Sequence, residues 1–150
     1  MDILEIKDLE TLAQKRVPKM FFDYVNSGSW TETTYNENIS DFQKIKLRQR
    51  VAIDMSNRTL ATKMVNQSVS MPVAIAPTGL TGMQRADGEI LAAQAAEEFG
   101  IPFTLSTMSV CSIEAVAEKT KNPFWFHLYV MKDKQVMARL IDRAKEAKCS

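Results

Sequence analysis

Three times in the second half of the chain, a short apolar run gives way to a helical pattern. Val73-Ala74-Ile75-Ala76 is uninterrupted and apolar, the pattern of a buried strand. It ends in Pro77-Thr78-Gly79, residues that break a strand and expose backbone amides. Asp87-Gly88-Glu89 then opens a predicted helix over 88–99, with Leu91, Ala95 and Phe99 on one face and Gly100 as its stop. The second strand is Pro102-Phe103-Thr104-Leu105-Ser106, followed by Ser112 as the cap of a helix running to about Lys119. The third is 124–130, followed by Asp133 as the cap of a helix to Ala147. Val136, Leu140, Ala144 and Ala147 line that helix. Strands alternating with helices in this way predict a parallel sheet.

The first half is patterned for helices. Asp8 stands as the cap before a face of Leu9, Leu12 and Ala13. Pro18 stops that helix and suits the first position of a second one. The second carries Phe21, Tyr24 and Val25 at helical spacing and ends at Asn26-Ser27-Gly28, with Gly28 suited to a left-handed cap. From Glu32 to Ile45, Tyr35, Ile39, Phe42 and Ile45 recur every three or four residues, which predicts a surface helix. Leu47-Arg48-Gln49-Arg50-Val51 alternates like a short strand, and Asp54 to Thr62 reads as loop.

Three parallel strands make a poor sheet, because both edges stay open. A closed βα barrel has eight units and about 250 residues. The pattern stops at Lys148-Cys149-Ser150, where a fourth strand would begin. The expectation is an α/β fold in which a helical extension and cap over 1–70 precede the first three βα units of a (β/α)8 TIM barrel over 71–150. Both belong to the N-terminal part of a single domain, and the chain is expected to be truncated. In such folds, ligands and chemistry sit at the C-terminal ends of the strands.

Composition narrows the partners. The 150 residues are 45% apolar and 25% charged, with a net charge of +1. Lysines and arginines are scattered among acids, so no nucleic-acid footprint is present. No apolar run reaches membrane-spanning length. The N-terminus Met1-Asp2-Ile3-Leu4-Glu5 is acidic where a signal peptide would be basic, which predicts a cytoplasmic protein. Cys111 and Cys149 are isolated and lack metal-ligand spacing. Cys111 precedes a helix start, but an inert thiol is the expected reading.

The chain resembles the N-terminal portion of the FMN-dependent α-hydroxy-acid dehydrogenase and oxidase family, which includes glycolate oxidase, L-lactate dehydrogenase and the flavin domain of flavocytochrome b2. The resemblance is carried by Pro18-Lys19-Met20-Phe21-Phe22-Asp23-Tyr24, Ser27-Gly28, Asn38, Phe42 and Leu47-Arg48-Gln49-Arg50. It continues through Met71 to Gly79, Asp87-Gly88-Glu89, Leu105-Ser106-Thr107, Ser112-Ile113-Glu114, and Leu128-Tyr129-Val130 with Lys132-Asp133. These stretches follow the family's order along the whole chain. The resemblance implies oxidation of an L-2-hydroxy acid, such as L-lactate or glycolate, to the 2-oxo acid by FMN. The implied partners are the hydroxy acid and an electron acceptor, which is oxygen, a quinone or a cytochrome. Family members are often tetramers, which implies a homo-oligomeric parent, and some bacterial ones sit peripherally on the inner face of the membrane.

Site residues follow from the same resemblance. Pro77, Thr78 and Gly79 match the place where the family packs backbone against the flavin ring. Ser106 matches a flavin-contacting position. Tyr24 and Tyr129 match the family's substrate-binding tyrosines. His127, the only histidine, stands where the family usually has glutamine against the flavin pyrimidine edge. Neutral imidazole offers one donor and one acceptor, so it can replace part of an amide's bonding. Gln49 stands where the family commonly shows proline. Taken without the resemblance, Tyr24 reads as core and His127 as structural, whereas Ser106 and Tyr129 read equally well as structural strand-end residues or as site residues.

No catalytic residue is expected within the chain, because the family's base histidine belongs beyond Ser150. So do its flavin-binding lysine, substrate arginines and phosphate loops. The 150 residues alone are therefore expected to be inactive and to expose apolar strand edges and helix faces. Three other readings remain: an isomerase-type FMN barrel, a non-catalytic binding domain, and a truncated fragment without function.

Overall fold

The computed structural model describes residues 3–150. Met1 and Asp2, the start of the acidic N-terminus, lie outside the described residues. The chain divides into two compact units, Met1–Arg58 and Thr59–Ser150.

The first unit is helical. Helix α1 spans Ile6–Arg16, and its cap is Glu5 rather than Asp8. Asp8 sits in the first turn and reaches back, its Oδ2 accepting from the N–H groups of Leu4 at 2.8 Å and Glu5 at 3.1 Å. This is a capping box with acids in both roles. Helix α2 spans Lys19–Asn26 and starts directly after Pro18. Its buried residue is Phe22, whereas Tyr24 and Val25 are exposed. Gly28 does not adopt a left-handed conformation. It is needed for space instead, since a Cβ there would lie 2.7 Å from the Cβ of Tyr35. Helix α3, Thr33–Ser40, tightens into a 3-10 turn at Asp41–Lys44, and its Ile39 and Phe42 face solvent as expected of a surface helix. The alternating Leu47–Val51 segment forms no strand. Alternation alone cannot make one without a partner ladder to take the backbone groups.

The second unit opens with an antiparallel hairpin that the sequence reading missed. Strands β1, Thr62–Met64, and β2, Gln67–Val69, pair through Lys63 and Ser68. The connecting Val65 and Asn66 both have positive φ, at 45° and 64°. That is the left-handed pair a two-residue hairpin turn requires. Asn66 adopts it readily, but the preceding valine carries no such sequence signal.

Three parallel segments follow. Ile75 forms a single parallel bridge to Phe103. Strand β3, Thr104–Ser106, pairs in parallel with β4, Trp125–His127, setting Ser106 opposite His127. Both strands are shorter than the apolar runs that predict them. A short helix α4, Thr81–Gln84, precedes α5, Gly88–Phe99, which stops at Gly100 in a left-handed cap with φ of 67°. Helix α6, Ile113–Lys119, is capped by the Ser112 hydroxyl, which accepts from Ala115 N–H at 3.1 Å. Helix α7, Lys134–Glu146, is capped by Asp133. The core is Ala93, Ala96, Phe103, Leu105, Ile113, Val116 and Phe124. The buried face of α5 is Glu89, Ala93 and Ala96, not Leu91, Ala95 and Phe99. Leu91 and Phe99 are 45% and 62% exposed. Alanines win that face because they let the helix approach the sheet closely. The face predicted for α7 is the half-buried one. Among the described residues, no helix is long and apolar enough to cross a membrane.

Candidate functional site

The three parallel segments of the second unit bring their C-terminal ends to one side. Pro77, Thr78 and Gly79 follow directly from the Ile75 bridge. Ser106 and His127 are register partners at the ends of β3 and β4. Two residues beyond β4, the Tyr129 ring meets the His127 ring edge-on, with centroids 5.1 Å apart and planes 75° apart. Tyr24 belongs to the first unit, where it is 56% exposed on α2.

The loops at this end are tied to one another by backbone and hydroxyl groups. Thr107 Oγ1 donates to His127 O at 2.6 Å and accepts from Tyr129 N–H at 3.0 Å. This holds the backbone that carries both rings. Leu80 N–H donates to Met108 O at 2.9 Å, joining the first loop to the second. Ser106 is 2% exposed, and its Oγ accepts from Met108 N–H at 3.1 Å. Its hydroxyl hydrogen therefore remains available to donate. Thr78 and Ser106 line one cavity of about 210 Å³, together with Ile75, Thr81, Glu89 and Phe103. A larger cavity, about 360 Å³, lies at the opposite end of the strands between Gly100, Pro102, Asn122 and Phe124. None of the predicted site residues lines it. Cavity size is a poorer guide here than strand direction.

One residue of this region was missed at the sequence level. Glu89 is 2% exposed, and its Oε1 accepts from Gly82 N–H at 3.0 Å and Val110 N–H at 2.9 Å. Burial, the largest single influence, pushes its carboxyl up, but the groups donating to it, Val110 and Gly82 N–H foremost, together outweigh that, and the net shift is downward. The Cys111 thiol is pushed up by its own burial and further by the Glu89 carboxylate beside it. The helix start at Ser112 therefore does not activate it. The available signal was helical spacing: Glu89 shares its face with Ala93 and Ala96. An acid on an apolar face needs a partner.

Residues 13–150 match the sequence profile of the family described as FMN-dependent dehydrogenase. The chain belongs to that family. It is 50% identical over 143 residues to an L-lactate dehydrogenase of Acinetobacter baumannii, covering 95% of this chain and 37% of that protein. It is 47% identical over 150 residues to an L-lactate dehydrogenase of Acinetobacter baylyi, covering all of this chain and 39% of that one. A crystal structure of a soluble mutant of the membrane-associated (S)-mandelate dehydrogenase from Pseudomonas putida superposes with a TM-score of 0.90 at 35% identity, over 97% of this chain and 42% of that one. The chain thus spans about two fifths of the length of the relatives it matches. Its helical segment and three βα units are the opening of a TIM barrel, as the spacing of strands and helices predicts.

The groups at the strand ends fit a planar, polar-edged cofactor of the kind the family uses. Thr78 and Gly79 are at a loop tip where, among the described residues, neither N–H has a hydrogen-bond partner. Gly79 adds no side-chain bulk that would keep a ring from the backbone. His127 is exposed and held at its backbone by Thr107. An imidazole there can meet a polar ring edge.

Proposed function

We propose that these residues form the N-terminal part of an enzyme that oxidises an L-2-hydroxy acid, such as L-lactate or glycolate, to the 2-oxo acid with FMN. The observation that carries this reading is the convergence of Pro77-Thr78-Gly79, Ser106, His127 and Tyr129 at the C-terminal ends of three adjacent parallel segments. Relatives that match nearly the whole chain are L-lactate dehydrogenases. The proposed domain is single, with 1–70 as helical extension and cap and 71–150 as the first βα units.

FMN supplies acceptance of two electrons from the substrate. The chain's own residues bind and orient. The Pro77–Gly79 backbone would hold the flavin ring, with the free Thr78 and Gly79 amides available to its polar atoms. Ser106 and His127 offer hydroxyl and imidazole to the ring's polar edges. Tyr129 would present its phenol to the hydroxy acid's carboxylate or reacting oxygen, and Tyr24, in the first unit, is the second tyrosine proposed to bind the substrate. A base that takes the substrate's proton is supplied by residues outside these 150. The electron acceptor is oxygen, a quinone or a cytochrome. The enzyme is a homo-oligomer in the cytoplasm, with peripheral association at the inner face of the membrane as the variant suggested by its membrane-associated structural relative.

The test is anaerobic mixing of the full-length, flavin-loaded protein with L-lactate or glycolate. Bleaching of the flavin absorbance supports the reading; a flavin that stays oxidised with every 2-hydroxy acid overturns it. Tyr24→Phe and Tyr129→Phe should each lower kcat/KM by about tenfold to a hundredfold, the loss of one hydrogen bond to a charged group. Unchanged kcat/KM in either variant removes that tyrosine from the site.

A further inference from the structure

Glu89 is a costly way to pack a helix against a sheet. It is 2% exposed, yet one carboxylate oxygen, Oε2, is buried without any hydrogen-bond partner among the described residues. A glutamine or an apolar residue would fill the space with less desolvation. What the carboxylate does is local. Its Oε1 accepts from Gly82 on the loop after the first parallel segment and from Val110 on the loop after β3. Hydrogen bonds to an ionised acceptor are the stronger kind.

The packing around it is made for this contact. A Cβ on Gly82 would lie 2.6 Å from the Val110 Cβ and 3.1 Å from Glu89 Oε2. A Cβ on Gly88 would lie 2.9 Å from the Thr81 carbonyl oxygen. The loop held this way is strained: Leu80 and Asp87, flanking α4, have φ of 57° and 56°. Non-glycine residues stay in that region only where their surroundings fix them. Gly79 is three residues before Gly82, so the clamp acts on the same short loop that carries Pro77, Thr78 and Gly79.

We propose that Glu89 is a positioning residue: its carboxylate locks the first two βα loops together and thereby sets the backbone that the FMN ring meets. The flavin half of this statement rests on the proposed function; the lock itself does not. The test is amide hydrogen exchange of the full-length protein, with and without added FMN, in wild type, Glu89→Ala and Glu89→Gln. In Glu89→Ala, exchange at Gly82 and Val110 should rise by about tenfold or more, the loss expected for bonds to a charged acceptor. Amides of Val116 and Ala117 in α6 should not change. Glu89→Gln keeps a neutral carbonyl for the same two donors and should recover only part of the protection, because the bonds lose the charge on their acceptor. FMN affinity, read from quenching of flavin fluorescence, should follow the same order, falling about tenfold in Glu89→Ala.

Unchanged exchange at Gly82 and Val110, or a rise spread equally over α6, overturns the lock. Raised local exchange with FMN affinity unaltered overturns its role in setting the flavin surface. If wild type takes up no FMN, the flavin reading of the whole protein fails, and the exchange rates alone then decide the lock.

Discussion

At the scale of single residues, the tightest demands fall at Gly82 and Leu105. Gly82→Ala would drive a methyl group into Val110, at a separation of 2.6 Å that no side chain tolerates. Such overpacking costs about 1–3 kcal/mol. The denaturation midpoint should fall accordingly, and FMN uptake should fall with it because the same loop is displaced. Leu105 is fully buried at the centre of the core cluster. Leu105→Ala should destabilise by about 2–5 kcal/mol in equilibrium denaturation without a specific effect on the loops. Comparing the two separates site geometry from general stability. The sequence was readable at this scale wherever a residue type has one common use. Ser112 and Asp133 cap helices as their positions imply. Asp8 and Glu5 are both acids beside a helix start, and nothing in their identity says which is the cap. Glu89 was unreadable for a different reason: its partners, Gly82 and Val110, are backbone groups brought together by the fold.

At the scale of elements, the hairpin and the α6–α7 pair make separate predictions. Val65 sits at φ 45° in a turn that favours Asn or Gly. Its side chain is 79% exposed, so little packing is lost by replacing it. Val65→Asn should raise stability by about 1 kcal/mol through relief of left-handed strain, seen as a higher melting temperature. Glu114 on α6 and Arg143 on α7 form a bidentate pair at 2.6 and 2.8 Å. The Arg143 guanidinium, first among the causes, holds the Glu114 carboxyl down to about 2 from 4.5. A depressed carboxyl pKa means the stabilisation is fully present above pH 4.5 and is lost as pH falls through about 2. Both side chains are about half exposed, so screening limits the pair to about 0–1 kcal/mol. Arg143→Gln should lower the melting temperature slightly at neutral pH, less so in high salt, and not at all below about pH 2. A difference that persists in strong acid would mean that Arg143 acts through packing. Periodicity located α5, α6 and α7 to within a residue or two, but it chose the wrong face of α5. Small alanines carry a weak hydrophobic signal, yet they permit the closest approach to a sheet.

At the scale of the whole molecule, alternation of strand and helix was enough to read a parallel α/β arrangement. The barrel was one step further, because three βα units leave both edges of a sheet open and a closed barrel has eight. Motif order along the chain points the same way, and the family match over residues 13–150 together with the structural neighbours bears it out. The surface of the second unit carries the physical counterpart of the short coverage of its relatives. Val73, Leu91, Phe99 and Val110 are each between 45% and 62% exposed, and Val130 is 88% exposed. Among the described residues, β4 pairs only with β3, and Ile75 bridges only Phe103. Unpaired strand edges beside apolar surface are what drive association in water. The 150 residues expressed alone should therefore enhance the fluorescence of a hydrophobic dye such as ANS and scatter light increasingly with concentration. Adding the remaining barrel units of a family member on the same chain should abolish both effects, since edges and apolar faces would then find partners. Dye binding and self-association that persist in the longer protein would assign the exposed residues to an interface between copies rather than to the barrel's own seam.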